Sequence, residues 1–319
     1  MKSKLFYALL LFIVSLNSVF AFEFAKAKAT IKVVDENGLA VSNARIMGGF
    51  FNVKVASGGV DFQGITDTNG ECSVSGQTHG EFSYGIEKDG YYRSHGRYQG
   101  WIARRGKIEW GKWQPWNPVV TQMIRKIVNP IPMYAKRLDI VIPVLDQFVG
   151  YDLMKGDWVS PYGSGGIPDF LFRIRKRYVN YKDYDSSLDI ITSQMKDGVC
   201  EISKAAYMHS KYWFPREAPS DGYITNLLFS HSSTNYYIPK KDQAYLFRVR
   251  AVTNEVGEIV SALYGKTHGY FMFGVLEEKT GRILFTYYLN PSPNDRNMEF
   301  DPQRNLFKNL KSLEEVNVP

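Results

Sequence analysis

The 319-residue sequence predicts an all-β protein made of two β-sandwich-type domains. Three observations lead to this fold class. Apolar and polar residues alternate with a period of two in many short segments, and Asn-Gly, Asp-Gly and similar turn pairs separate these segments. No segment of useful length shows the 3.6-residue period of an amphipathic helix. Aromatic residues make up 15% of the chain, which suits strands because aromatic rings pack well on a pleated surface.

The first 21 residues have the three parts of a secretory signal peptide. Lys2 and Lys4 supply positive charge, residues 5–16 are an apolar run, and small residues then allow cleavage after Ala21. The alternative is an uncleaved membrane anchor, but a run of about 12 residues is shorter than the roughly 20 that span a bilayer. We therefore expect a periplasmic or secreted protein with no stable transmembrane anchor after cleavage.

The first domain is expected over residues 22–130, and its first half can be assigned strand by strand. Residues 29–33 alternate as a half-buried strand. Turns follow at residues 35–38 and 66–70, where Asn and Gly tolerate positive φ, and Asp89-Gly90 closes the last strand of this half. The residues expected to face inward are Ala29, Ile31, Val33, Ala44, Ile46, Cys72, Val74, Phe82, Tyr84 and Ile86.

This order of strands and turns resembles the carboxypeptidase regulatory-like domain, a transthyretin-like β-sandwich. The chain departs from that family at Ala40-Val41, where a proline is usual, and at Cys72, where an aromatic residue is usual. The resemblance implies a transthyretin/Ig-like fold and an accessory role such as scaffold, adhesion or ligand display, and it implies no catalytic residue. The matching positions are Val33, Asp35, Gly38, Asn43, Ala44, Ile46, Thr66, Asp67, Gly70, Cys72, Val74, Glu81, Phe82, Lys88, Gly90 and Tyr91.

Residues 93–118 interrupt the alternation and are expected to form a Trp-rich loop insertion. One interpretation is a glycan platform, in which indole rings stack on sugar faces and arginines pair with acidic substituents. The other is a loop folded back over the sandwich, with the indoles as packing anchors. Single-stranded nucleic acid is bound by similar groups, but export argues against that partner. The candidate binding residues are Trp101, Trp110, Trp113, Trp116, Arg104 and Arg105.

The second domain is expected over residues 131–319, after a rigid linker around Pro130 and Pro132. Residues 119–128 fit either a helix or a strand, and their valine and isoleucine content favours a last strand of the first domain. Frequent turn signals in the second domain predict a sandwich of hairpins. This half resembles uncharacterised exported bacterial proteins, which implies no activity. Its expected inward residues are Phe170, Phe172, Ile174, Leu188, Ile190, Thr192, Cys200, Ile202, Tyr245, Phe247, Val249, Ala251, Phe271, Phe273 and Val275.

The two cysteines, Cys72 and Cys200, are interpreted as separate core thiols, since each occupies an inward position of a predicted strand. A disulfide is the alternative, because an exported protein meets an oxidising compartment. The spacing of the two residues does not fit a cysteine-based metal site.

Two acidic or polar segments are candidate cation sites. Asp183, Asp185 and Asp189 alternate like the oxygen ligands of calcium loops, although the glycine and the glutamate of an EF-hand are missing. The alternative is a solvated turn that enters a strand. Residues 290–301 are the densest polar cluster, and they either bind a cation or ligand or cap a tight proline turn. No cofactor other than calcium is suggested.

These patterns predict an exported, non-enzymatic binding or structural module of the cell envelope, with a glycan or an envelope protein as partner. The formal charge of +7 is spread along the chain and is not a nucleic-acid signature. One alternative is a secreted polysaccharide hydrolase with carboxylates from Asp183, Asp185, Glu299 or Asp301. Another is a carrier of a small apolar ligand inside a sandwich.

Overall fold

The computed structural model describes residues 25–52, 58–103, 106–203, 209–235, 240, 243–274 and 280–319, and these residues form an almost entirely β structure. The predicted all-β, sandwich-type fold class is confirmed. The chain divides into two compact units, Met1–Ile127 with His209–Lys211, and Val128–Met208 with Tyr212–Pro319. In the described part of the chain, no helix has the length and hydrophobicity needed to cross a membrane. The predicted signal peptide lies outside the described residues.

The first unit contains two sheets that enclose one apolar core. Its five-stranded sheet has the order β4-β1-β8-β7, with β9 also paired to β1, and its four-stranded sheet has the order β3-β2-β5-β6. A short helical turn, Gly100–Ala103, follows β6. The strands are β1 Lys26–Val34, β2 Arg45–Phe51, β3 Gly59–Ile65, β4 Glu71–Gln77, β5 Phe82–Glu87, β6 Ser94–Tyr98, β7 Lys107–Glu109, β8 Lys112–Gln114 and β9 Val119–Met123.

All ten inward residues predicted for the first unit are buried, which confirms the period-two assignment. Two of the predicted turns form in the same way, with an aspartate carboxylate that accepts backbone N–H groups. The Asp35 carboxylate accepts the backbone N–H groups of Asn37 and Leu39 in the first turn. The Asp67 carboxylate accepts two backbone N–H groups in the second turn, where Gly70 has a φ of 73°. The side-chain bonds explain the aspartate in each turn, and the positive φ of Gly38 and Gly70 explains the glycine.

Two predictions for this unit need correction. The strand expected over residues 119–128 ends at Met123, because its partner β1 ends at Val34, the residue paired with Met123. Residues 93–118 are not a single loop, since they contain β6, the helical turn and the β7–β8 hairpin. The two hairpin strands have three residues each, which is too short for an alternating pattern to be recognised in sequence.

The second unit also contains two sheets around an apolar core. One sheet has the order β10-β20-β18-β17-β15, with β19 paired to β20, and the other has the order β12-β11-β13-β14-β16. A 3-10 turn lies at Pro302–Arg304. The strands are β10 Tyr134–Val141, β11 Val149–Asp152, β12 Asp157–Trp158, β13 Phe170–Asn180, β14 Asp183–Thr192, β15 Gly198–Ser203, β16 Asn226–Ser232, β17 Gln243–Thr253, β18 Ile259–Thr267, β19 Met272–Phe273 and β20 Arg282–Asn290.

Aromatic rings fill the interior of the second unit. Phe271 lies 4.8 Å from Phe285 and 5.4 Å from Tyr245, measured between ring centroids. Phe170 of one sheet lies 5.2 Å from Phe247 of the other. The carrier hypothesis expected a void lined by phenylalanine and tyrosine, whereas these rings pack against one another. The packing gives that hypothesis no support.

Most of the inward residues predicted for the second unit are buried, and the exceptions have local causes. Ala251 is only half-buried because the β17–β18 register shifts after Val249. Cys200 and Ile202 are half-buried because Val199, their neighbour on β15, is the residue that faces the core. Phe273 is half-buried on the two-residue strand β19. Val275 lies outside the described residues.

The two cysteines are free thiols, which confirms the prediction of separate groups. Cys72 is buried in the core of the first unit, as expected. The prediction that Cys200 is a core residue is wrong for the reason given above. Burial raises the pKa of both thiols, so the uncharged form is favoured in each case.

Candidate functional site

The candidate site is built around the β7–β8 hairpin. Glu109 and Lys112 are paired across it, so the turn consists of Trp110 and Gly111 alone. Trp110 has a φ of 53° and Gly111 a φ of 70°. Positive φ at both central residues is typical of a type I′ turn, where Asn-Gly is the favoured sequence. The turn therefore requires a left-handed backbone conformation at Trp110, and this conformation is unfavourable for a residue with a bulky side chain.

Two indole rings are accessible at this hairpin. Trp110 is 99% exposed, although the large apolar surface of a tryptophan is normally mostly buried. Trp116, just after β8, is 38% exposed, and the Lys112 ammonium group lies 5.1 Å from the centroid of its ring. Lys112 was not among the binding residues predicted from sequence. Its contact with Trp116 depends on the hairpin, which the sequence pattern did not reveal.

The other two tryptophans of this segment are core residues. Trp101 is fully buried, donates its indole N–H to the Pro115 carbonyl at 3.0 Å, and packs 4.8 Å from the Tyr98 ring. Trp113 is 2% exposed and donates its indole N–H to the Thr78 carbonyl at 2.9 Å. Neither ring offers a face for stacking on a ligand, so a platform of four indoles does not exist here. Arg104 and Arg105 lie outside the described residues.

Hydrogen bonds hold the turn of the hairpin and the residues that follow β8. The Lys26 N–H donates to the Gly111 carbonyl at 2.9 Å, which ties the turn to β1. The Trp116 N–H donates to the side-chain oxygen of Gln114 at 3.0 Å. The next residue, Asn117, accepts a hydrogen bond from the Thr30 hydroxyl at 3.0 Å. The segment that carries the two exposed indoles is thus fixed to β1 and to β8 by hydrogen bonds.

The aspartates proposed for calcium are paired with arginines of the neighbouring strand. Arg177 lies 2.7 Å from Asp183 and 2.6 Å from Asp185, and Arg173 lies 3.1 Å from Asp189. The hydrogen bond from Arg177 lowers the pKa of Asp183. Within the described ranges there is no group of three or more His, Cys, Asp or Glu residues suited to a metal ion. The geometry thus gives the calcium hypothesis no support, because the carboxylates face β13 rather than one another.

The polar cluster at residues 290–301 forms turns held by its own side chains. Asn290 is buried and donates its side-chain N–H groups to the carbonyls of Asp295 and Asn297. The Asp295 carboxylate accepts the Asn297 N–H at 3.0 Å. These bonds agree with the capping interpretation of the cluster.

The remaining carboxylates of the hydrolase hypothesis have structural partners. Glu299 is buried and accepts the N–H groups of Val128 at 2.9 Å and Asn129 at 2.8 Å. Asp301 caps the 3-10 turn by accepting the Gln303 N–H. Both groups therefore stabilise loops, and this geometry gives no indication of a catalytic pair.

Comparisons with known proteins do not identify a family. No family model matches the sequence, and no curated protein matches it. Among solved structures, the chain is similar to a DUF3823 family protein from Parabacteroides merdae, at 9% identity and a TM-score of 0.21, over 82% of this chain and 98% of that one. It is also similar to BcpA, the major pilin subunit of Bacillus cereus, at 10% identity and a TM-score of 0.22, over 81% and 95%. At these TM-scores neither similarity supports an inference about this chain.

Proposed function

We propose that this chain is an exported, non-enzymatic binding module of the cell envelope that recognises a glycan through Trp110 and Trp116. The observation that supports this proposal most directly is the exposure of Trp110, at 99%, on the tip of an ordered hairpin. An indole ring presents a flat apolar face, and the C–H faces of sugar rings stack on such surfaces. Export is inferred from the signal-like first 21 residues, and the accessory role agrees with the resemblance to the carboxypeptidase regulatory-like domain.

Folding stability does not account for Trp110. The side chain buries almost no surface, so it contributes little hydrophobic free energy. Its positive φ is unfavourable for a large side chain. Backbone strain of this kind is concentrated at functional sites, where the geometry serves a ligand. A binding role explains both features at once.

The proposal is tested on a glycan array with the chain lacking residues 1–21. We compare it with Trp110→Ala, Trp116→Ala and, as a matched control, Tyr181→Ala, which removes an exposed aromatic ring in the β13–β14 turn of the second unit. We expect binding to at least one glycan, a loss of about tenfold or more in the two tryptophan variants, and no loss in the control.

Circular dichroism and urea unfolding of each variant separate loss of binding from loss of folding. If the parent chain binds no glycan, or if both folded tryptophan variants bind as well as the parent, the proposal is overturned.

A further inference from the structure

We infer that the glycan is an acidic polysaccharide, held by a row of three lysines beside the two exposed indoles. This inference rests on the proposed function and specifies its ligand. The three residues are Lys26 and Lys28 on β1 and Lys112 on β8, and we name them the lysine face. Two of them come from the start of the first strand, and the sequence pattern did not connect them with the tryptophans.

Strand geometry places the three lysines on one side of the five-stranded sheet. Ala27 and Ala29 alternate with Lys26 and Lys28 and are fully buried, so the lysines point away from the core. On β8, the buried Trp113 likewise directs its neighbour Lys112 outward. Lys28 follows Lys26 by two residues, about 7 Å along the strand.

Lys26 and Lys112 are direct neighbours in the parallel β1–β8 pairing. Neighbouring strands lie about 4.8 Å apart, so the two cationic side chains leave the sheet side by side. Like charges in such a pair destabilise a sheet unless a counter-charge is present. In contrast, Lys32 on the same side of β1 has a partner, Glu71, at 3.5 Å.

The structure supplies little counter-charge to the lysine face. Within the described part of the chain, none of the three lysines forms an ion pair, and Lys112 contacts the Trp116 ring instead. The carboxylate closest in register is Glu109, opposite Lys112. Three positive charges against one negative charge leave an excess that a polyanion would neutralise.

The neighbours of the lysine face favour a sugar chain over a lipid surface. Across β4, the residues paired with Lys26 and Lys28 are Gln77 and Ser75, whose amide and hydroxyl groups can hydrogen-bond to sugar hydroxyls. The exposed Ser73 hydroxyl lies on the same side of this sheet, 3.3 Å from the buried Thr30 hydroxyl. Cations, neutral hydrogen-bonding groups and indoles together match a polysaccharide with acidic substituents.

The test compares charged polysaccharides with their neutral counterparts. The probes are polygalacturonate with its methyl ester, and dextran sulfate with dextran. The variant carries Lys26→Gln, Lys28→Gln and Lys112→Gln. The matched control carries Lys155→Gln, Lys196→Gln and Lys311→Gln, which removes the same charge from exposed lysines of the second unit. Affinity is measured by biolayer interferometry between low and high NaCl.

We expect the parent chain and the control to bind one charged probe about tenfold or more tightly than its neutral counterpart, and added salt to weaken this binding. The lysine-face variant loses that preference while circular dichroism shows it folded. The inference is overturned if the parent chain prefers neither charged probe. It is also overturned if the preference of the control for a charged probe falls by as much as that of the lysine-face variant. Tighter binding to phosphatidylglycerol vesicles than to every polysaccharide also overturns it.

The outcomes separate this inference from the proposed function. If the chain binds a neutral glycan, and this binding requires Trp110 but not the three lysines, only the inference that the ligand is acidic is overturned. Absence of binding to any glycan overturns both.

Discussion

The ammonium group of Lys112 lies 5.1 Å from the centroid of the Trp116 ring, within the range of a cation–π interaction. This contact joins the two parts of the candidate site, because Lys112 belongs to the lysine face and Trp116 is one of the two exposed indoles. The same lysine is paired with Lys26 on one side and Glu109 on the other. A short hairpin thereby connects the start of the first strand with the Trp-rich segment.

Replacing Trp110 with asparagine should stabilise the fold. Asparagine tolerates the left-handed conformation that Trp110 adopts, and Asn-Gly is the favoured pair in a type I′ turn. We expect Trp110→Asn to raise the free energy of unfolding by about 1 kcal/mol, measured by urea denaturation. The same variant should lose glycan binding. A lower unfolding midpoint would show instead that Trp110 contributes to packing.

Trp113→Ala should have the opposite effect on stability. This ring is buried in the core of the first unit and its N–H is bonded to the Thr78 carbonyl, so its removal leaves a cavity and an unsatisfied acceptor. We expect a loss of about 3–5 kcal/mol in urea denaturation. Trp116→Ala, at a partly exposed site, should cost less than about 1.5 kcal/mol. Equal losses in the two variants would contradict the assignment of Trp113 to the core.

Arg250 should be essential to the second unit because it neutralises two buried carboxylates. Its guanidinium donates to Asp169 and to Asp152, each at 2.8 Å. Arg250→Ala leaves both carboxylates uncompensated, and we expect a loss of about 3–5 kcal/mol in the free energy of unfolding. Adding Asp169→Asn to that variant should recover part of the loss. No recovery in this double-mutant cycle would show that the loss comes from packing alone.

Asp197 should make folding stability depend on pH. Burial raises its pKa from 3.8 to about 6, although the Ala251 and Arg250 N–H groups oppose the shift. The folded state therefore holds this proton more tightly than the unfolded state. This favourable contribution to the free energy of unfolding is full below pH 3.8, falls as the pH rises through about 6, and is lost above that.

We test this with Asp197→Asn, which does not titrate. The free energy of unfolding of the variant minus that of the parent chain should rise between pH 4 and 6.5, at up to about 1.4 kcal/mol per pH unit. Any loss of stability that Asp197→Asn causes by removing a hydrogen-bond acceptor is the same at every pH, so it does not change the slope of this difference. A difference that does not change with pH would contradict the raised pKa.

The two cysteines should differ in reactivity. Cys72 is buried and Cys200 half-buried, and burial raises the pKa of both thiols. Because the thiolate is the nucleophile, we expect slow alkylation of Cys200 by iodoacetamide in the native protein and alkylation of Cys72 only after unfolding. Mass spectrometry of tryptic peptides measures both. A non-reduced mass lower by two hydrogens would reveal a disulfide and contradict the separate thiols.

Local spacing was sufficient to predict the fold class and most of the core. Ala29, Ile31 and Val33 are buried because alternate side chains of a strand point to the same face, whatever strand lies beside it. The prediction failed where the pairing with another strand shifted or ended. Ala251 is only half-buried because the β17–β18 register shifts after Val249, and β9 ends at Met123 because its partner β1 ends at Val34.

The order of residues along the chain, read alone, is enough to predict pleated layers and a Trp-rich, basic segment over residues 93–118. It does not separate Trp110 from Trp113, because the sequence does not show that Trp110 lies in the hairpin turn and Trp113 on the strand face that meets the core. It also does not bring Lys26 next to Lys112. That pairing arises from backbone hydrogen bonding between strands remote in sequence, and such long-range contacts are set only when the whole sandwich is assembled.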